Sequence, residues 1–289
     1  MRLTLWLMLA LAVAALCGAG ALAAEEPKVA KEDWDWAAAM TQVARKGQAA
    51  AKPGVVLTLG DSLSYANPST AWARQGQGLA PEDRAVLKWS HAFEDQSESN
   101  GWWLAAVDRP GGRSETAASG VRTDQYLKGG HHGLGALKDI LEKYRPQAAF
   151  VLLGANDASA GRQPEEVARD MAAILDAIIA AGAVPVLQTC APRAEEAADR
   201  RTREYNRLYL GLARERKLPV IDLYGEFLGR APGGAWKTQL LAADGIHFSP
   251  QPAAGPPTEE NLAKCGYLLR CWLAVQKLKA VKQGVFDKL

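Results

Sequence analysis

The sequence predicts an α/β protein built on a parallel sheet. Three observations carry that expectation. Short apolar runs recur, each closed by a glycine or a polar turn. Amphipathic helical stretches separate them. The two alternate along the chain, as strand–helix–strand units require. Runs apolar at every position, rather than at every second one, suit strands covered on both faces.

The first run is Val55-Val56-Leu57-Thr58-Leu59, leading into Gly60-Asp61-Ser62-Leu63-Ser64. Gly60 permits a sharp exit from the strand. Ser62 then falls just past the strand's carboxyl end, where open α/β sheets place their ligands. A serine so placed acts as a nucleophile only with a base and an oxyanion site nearby; the bland reading is that Asp61 and Ser62 make a turn.

Later elements follow in order. Glu25 to Lys52 is rich in Ala, Lys and Glu and reads as one helix packed on the outside. Residues 65–101 hold Pro68, Pro81, several glycines and the acidic run Glu94-Asp95-Gln96-Ser97-Glu98, and read as an irregular insertion at the sheet's carboxyl edge. Four of the nine tryptophans lie there or at its end: Trp72, Trp89, Trp102 and Trp103. They serve the insertion's own small core, or they stack on sugar rings or acyl chains. The strand after it is either Leu104 to Val107 or Arg113 to Ala117. Asp124 to Tyr144 is helical, interrupted by Gly129-Gly130-His131-His132-Gly133. The two histidines read as loop residues, because neighbours on one element do not face the same way and no carboxylate sits at ligand spacing.

Ala148 to Leu153 is the next strand, ending at Gly154. Pro164 to Ala181 is a helix, with Pro164 in its first turn, Glu165 and Glu166 suiting the dipole, and Gly182 as its stop. Val167, Met171, Ile174 and Ile178 form its apolar face. Val184 to Gln188 is a strand and Glu195 to Lys217 a helix with Tyr205, Leu208 and Leu212 inward. Leu218 to Asp222 is a fourth strand. Asn261 to Val281 is the closing helix, with Leu262, Cys265, Leu269 and Trp272 on one face.

Composition narrows the function classes. The 289 residues are 48% hydrophobic and 23% charged, an ordinary globular balance. Thirty-four basic against 32 acidic residues give +2, no argument for nucleic acid or an acidic membrane as partner. Met1-Arg2 followed by the uncharged stretch Leu3 to Ala24, with Ala21-Leu22-Ala23 as a small-x-small site, reads as a signal peptide over residues 1–24. That leaves residues 25–52 as an N-terminal helical extension and 53–289 as the main domain. An uncleaved anchor is the alternative, since the stretch is long enough. Export leads to a secreted or periplasmic location, with no stable membrane association after signal removal. Cys190, Cys265 and Cys271 then stand in an oxidising compartment, and an odd count leaves at least one unpaired within the chain. Cys265 and Cys271, six apart on one helix, are poor mutual partners, and all three read as small buried apolar residues.

Of four histidines, His247 alone has a carboxylate three residues before it in a loop, Asp244. That pairing suits a base whose tautomer is fixed by an acid. Gly154-Ala155-Asn156-Asp157 begins where a strand ends, on Ser62's sheet edge. The Asn156 amide is placed to donate to a developing oxyanion or to cap a helix. Ala118-Ser119-Gly120 is a small-residue turn whose backbone N–H offers another donor.

Gly60-Asp61-Ser62-Leu63-Ser64, Gly120, Gly154-Ala155-Asn156-Asp157 and Asp244-Gly245-Ile246-His247 occur in the order and rough spacing of the SGNH, or GDSL, hydrolases, and the chain resembles that family from about Val55 to its last helix. The resemblance implies a three-layer α/β/α sandwich with a parallel, flavodoxin-like sheet of five strands. It implies Ser62 as nucleophile, His247 as base and Asp244 as its orienting carboxylate. The oxyanion hole would be the N–H groups of Ser62 and Gly120 with the Asn156 amide. Two features depart from the family. The Asn often found just upstream of its glycine is replaced by Glu115-Thr116-Ala117-Ala118, and the gap from Ser62 to Gly120 is long. The expected activity is hydrolysis of carboxylic esters without metal or organic cofactor, foremost short acyl esters on carbohydrate. Lipase, lysophospholipase, thioesterase and acyl-transfer chemistry fit the same residues. A glycan-binding protein that lost the chemistry is the reading from another class.

Overall fold

The computed structural model describes residues 32–65, 67–93 and 114–289. Helix α1 (Trp36–Gly47) precedes β1 (Val56–Gly60), and α2 (Ser62–Tyr65) begins at Ser62. Then come α3 (Ala71–Gln75) and α4 (Pro81–Trp89), followed by α5 (Thr123–Lys128) and α6 (Leu137–Tyr144). β2 (Ala148–Leu152), α7 (Ala155–Ser159), α8 (Pro164–Ala180) and β3 (Val184–Gln188) form the middle of the chain. The remainder is α9 (Glu196–Arg216), β4 (Val220–Ile221), α10 (Leu223–Arg230), α11 (Trp236–Gln239), α12 (Glu259–Leu262) and α13 (Gly266–Gly284).

The strands form one parallel sheet in the order β1-β2-β3-β4, and every strand residue is buried. Helices α1 and α13 pack on each other and reach β3 and β4, whereas α5, α6, α8 and α9 pack among themselves, with α8 against β3. The sheet therefore lies between two helical groups, as its all-apolar strands demand.

Five strands were expected, but the described residues carry four and, in place of the fifth, a single parallel bridge between Ala117 and Gly60. The bridge stays short where hydrogen bonds bend the chain on either side of it. The Ser114 hydroxyl accepts from the N–H groups of Thr116 and Ala117, and Val121 N–H turns back to the Ala118 carbonyl. The alternative strand at Leu104 to Val107 lies outside the described residues, as does Arg113. Counting the bridge, the spatial order is 2-1-3-4-5. Chain progression reverses between β1 and β2, which opens the crevice where such sheets bind ligands.

Three other expectations are corrected. The described part of the 65–101 segment is helical, not irregular. Pro81 starts α4, Val86 and Leu87 are buried, and Asp83 accepts from Lys279 and Gln276 of α13. The acidic run at 94–98 lies outside the described residues. The closing helix is broken into α12 and α13. The Ser249 hydroxyl takes the Gly266 N–H at 2.9 Å, and Cys265 is extended, so it caps α13 rather than sharing a helix face with Leu269 and Trp272. On α9 the buried stripe is Thr202, Tyr205, Asn206 and Tyr209, while Leu208 and Leu212 are only half-buried. The stripe is polar because it meets loop backbone. Asn206 bonds both N–H and C=O of Cys190, Tyr205 donates to Arg162 O and Tyr209 to Leu153 O. On α8, Val167, Met171, Ile174 and Ile178 are all fully buried.

Candidate active site

The β1 exit is set by close packing. A Cβ on Gly60 would lie 2.2 Å from Ser64 Oγ and 2.6 Å from Leu152 O, so only glycine fits against β2 there. Asp61 is buried, and its Oδ1 accepts from Leu63 N–H at 2.9 Å. That bond turns the chain into α2 and leaves Ser62, half-exposed, at the head of the turn. Burial raises the Asp61 pKa to about 6, against the opposing pull of Leu63 N–H, Arg270 and His247.

The Asp244–His247 loop is carried on an antiparallel bridge between Leu241 and Phe248, both buried. Ala242 N–H donates to His247 O, and Gly245 O accepts from Ala194 N–H, which ties this loop to the one after β3. Asp244 Oδ1 accepts from the N–H groups of Ile246 and His247, each at 2.9 Å. Its Oδ2 lies 2.6 Å from His247 Nδ1. Partial burial pushes the Asp244 carboxyl up. The bond from the His247 ring and the two N–H bonds outweigh it and bring the pKa down to about 2. A carboxylate can only accept, so Nδ1 carries the ring proton and Nε2 is left as acceptor. Ser62 Oγ lies 3.0 Å from that Nε2 and donates to it. Ser62, His247 and Asp244 thus form a hydroxyl–imidazole–carboxylate relay between positions 185 residues apart.

Asn156 stands in the first turn after β2. Gly154 makes this possible: it has φ +124°, and a Cβ there would lie 2.6 Å from Cys190 Sγ. The Asn156 Nδ2 donates to Asp61 Oδ2 and to Val121 O, each at 3.1 Å. Both amide protons are engaged, so donation to an oxyanion requires one bond to be exchanged. Asp157, next in sequence, is fully buried and accepts from Thr123 N–H and Oγ and from Arg162, which fixes this turn to α5. Among the described residues the N–H groups of Ser62 and Gly120 have no hydrogen-bond acceptor.

Sequence reasoning missed two residues here. Arg193, buried after β3, donates to Ala155 O at 2.6 Å and Ser159 Oγ at 3.0 Å, clamping α7 from behind. Arg270, buried on α13, approaches Ser64 Oγ at 3.5 Å and helps hold charge on Asp61. An arginine inside an otherwise apolar helix face was the available signal for Arg270; nothing local marks Arg193.

Of the four tryptophans singled out, the two among the described residues do not line this site. Trp72 is fully buried, with Nε1 on Gln77 O, and Trp89 packs on Phe286; Trp102 and Trp103 lie outside the described residues. The adjacent histidines, expected to point apart, have ring centroids 4.4 Å apart, because His132 takes a left-handed backbone (φ 49°). Cys190, Cys265 and Cys271 are free and buried.

Fold and site together are those of an α/β protein with a serine, a histidine and an aspartate hydrogen-bonded in series beside the carboxyl end of β1. The model of the GDSL-like lipase/acylhydrolase family matches residues 58–251, more than half of the chain, and the protein belongs to that family. Among curated proteins it is similar to thioesterase 1/protease 1/lysophospholipase L1 of Escherichia coli, 31% identical over 133 residues, 46% of this chain and 59% of that one. The match thus spans less than two thirds of that relative. Among solved structures it is similar to a lipase/acylhydrolase from Enterococcus faecalis (TM-score 0.50, 21% identity, 78% of this chain and 95% of that one). It is also similar to an acetyl-xylooligosaccharide esterase from Geobacillus (TM-score 0.50, 12% identity, 79% and 94%). At those identities the likeness is one of fold.

Proposed function

We propose that this hydrolase is a serine esterase with Ser62 as nucleophile, His247 as general base and Asp244 as its orienting carboxylate. The observation that carries the reading is the 3.0 Å approach of Ser62 Oγ to an imidazole nitrogen already fixed as acceptor. Ser62 attacks the ester carbonyl as Nε2 takes its proton. The tetrahedral oxyanion is met by the N–H groups of Ser62 and Gly120, and Asn156 exchanges its bond to Val121 for one to the oxyanion. His247 then protonates the leaving alcohol, and water repeats the sequence on the acyl-enzyme. A glycan-binding protein has no need of this set, and a fluorophosphonate probe tests the point. Ser62 should be labelled, and Ser62→Ala should abolish labelling and turnover; wild-type esterase activity in that variant would overturn the assignment.

For the substrate, we propose short acyl esters on carbohydrate outside the cytoplasm. Arg2 and the uncharged stretch to Ala24 favour export, and no long apolar segment after Ala24 stands out as suiting an acyl chain. The buried Trp72 lends no support to sugar stacking. The competing reading, a longer acyl ester or thioester, is favoured by the name of the Escherichia coli relative. Acetylated sugars and p-nitrophenyl esters of rising chain length separate the two. Activity falling steadily beyond acetyl supports the first, and activity rising toward long chains overturns it.

A further inference from the structure

His131 opens the short turn between α5 and α6, in a stretch whose sequence suggested only a loop. Its Nε2 lies 2.8 Å from the carbonyl oxygen of Ser119. A carbonyl only accepts, so Nε2 carries a hydrogen and donates it. The same nitrogen is 3.4 Å from where a Cβ on Gly120 would stand. The turn is held in place by its own backbone: Gly130 N–H donates to Leu134 O at 2.7 Å and Leu134 N–H to His131 O at 3.0 Å. His132 packs edge-on against the His131 ring.

The Ser119 carbonyl and the Gly120 N–H are the two ends of one peptide unit. A hydrogen bond at the oxygen polarises the amide, strengthens its N–H as a donor and fixes the plane in which that N–H points. We propose that His131 is a positioning residue for the oxyanion hole: by donating to Ser119 O it orients and polarises the peptide whose N–H, at Gly120, meets the developing oxyanion. The proposal rests on the serine-esterase reading above. It gives the Ser119-Gly120 peptide, just after the family-atypical Glu115-Thr116-Ala117-Ala118 segment, a support from beyond the far end of α5.

The test compares His131→Leu, which removes the donor, with His131→Gln, whose side-chain N–H reaches a similar point. Both are assayed for kcat and KM on p-nitrophenyl acetate and for inhibition by a trifluoromethyl ketone, which forms a charged tetrahedral adduct with serine. His131→Leu should lower kcat about tenfold, a fraction of what losing a whole oxyanion donor costs, with KM within about twofold. Inhibitor affinity should weaken by the same factor as kcat. His131→Gln should restore most of both. A residue that only holds the loop predicts kcat, KM and melting temperature moving together without rescue, and that result overturns the proposal. So does a His131→Leu enzyme with unchanged kcat and inhibitor affinity. Ser62→Ala is the separate arm. Turnover surviving there sinks the esterase reading itself, whereas its loss beside an unaffected His131→Leu sinks only the role of His131.

Discussion

Asp61 accepts from Leu63 and Asn156 behind the proposed nucleophile, and burial lifts its pKa from the ordinary 3.8 to about 6. A raised folded-state pKa means the folded chain keeps its proton after the unfolded chain has lost it. The associated stability is complete below about pH 4 and is lost as pH rises through about 6. The unfolding free energy of the wild type should therefore fall across that window more steeply than that of Asp61→Asn. Denaturant titrations at several pH values compare the slopes, so the absolute stability of the variant does not matter; equal slopes would refute the point. Asn156 is the second residue with a quantitative expectation. Its truncation in Asn156→Ala should raise the barrier by on the order of 3 kcal/mol, seen as about a hundredfold loss in kcat. Its side chain reads in sequence as a donor, but its engagement by Asp61 and Val121 does not, because both partners come from other loops.

At the scale of elements, the strand ends do the positioning. β1 delivers Ser62 and β2 delivers Asn156, each through a glycine packed too closely for a side chain. Gly154→Ala would add a methyl against Cys190 Sγ and force φ +124° on a residue that avoids it. We expect a cost of about 1–3 kcal/mol and a drop in kcat as α7 shifts, measured by thermal unfolding and steady-state kinetics on the same preparation. α8 was legible because its contacts are apolar and regularly spaced. The inward face of α9 was not, because Tyr209, Asn206 and Thr202 are buried by bonding to loop backbone or by local packing, which hydrophobic periodicity does not register. The break before α13 was equally hidden. It depends on Ser249, which is remote in sequence, taking the Gly266 N–H.

For the whole molecule, α1 belongs to the same hydrophobic core as the sheet. Met40 is 1% exposed, Trp34 Nε1 donates to Leu218 O, and α1 packs on α13 and β3. Met40→Ala should cost about 2–5 kcal/mol by leaving a cavity, while kcat per folded molecule stays unchanged because the crevice lies at the sheet's carboxyl edge. A parallel loss of kcat at a temperature where the variant is folded would show that α1 shapes the site as well.

The sequence alone determined the four segments that form β1 to β4, though not that a single bridge replaces the fifth, and where Ser62, Asn156 and His247 fall relative to them, because apolar runs and turn residues act locally. The family resemblance anticipated that Ser62 meets His247; only the tertiary structure decided that Asn156 meets Asp61 and His131 the Ser119 carbonyl. Those contacts join distant loops, and their geometry comes from the packing of the whole core rather than from any stretch of neighbouring residues.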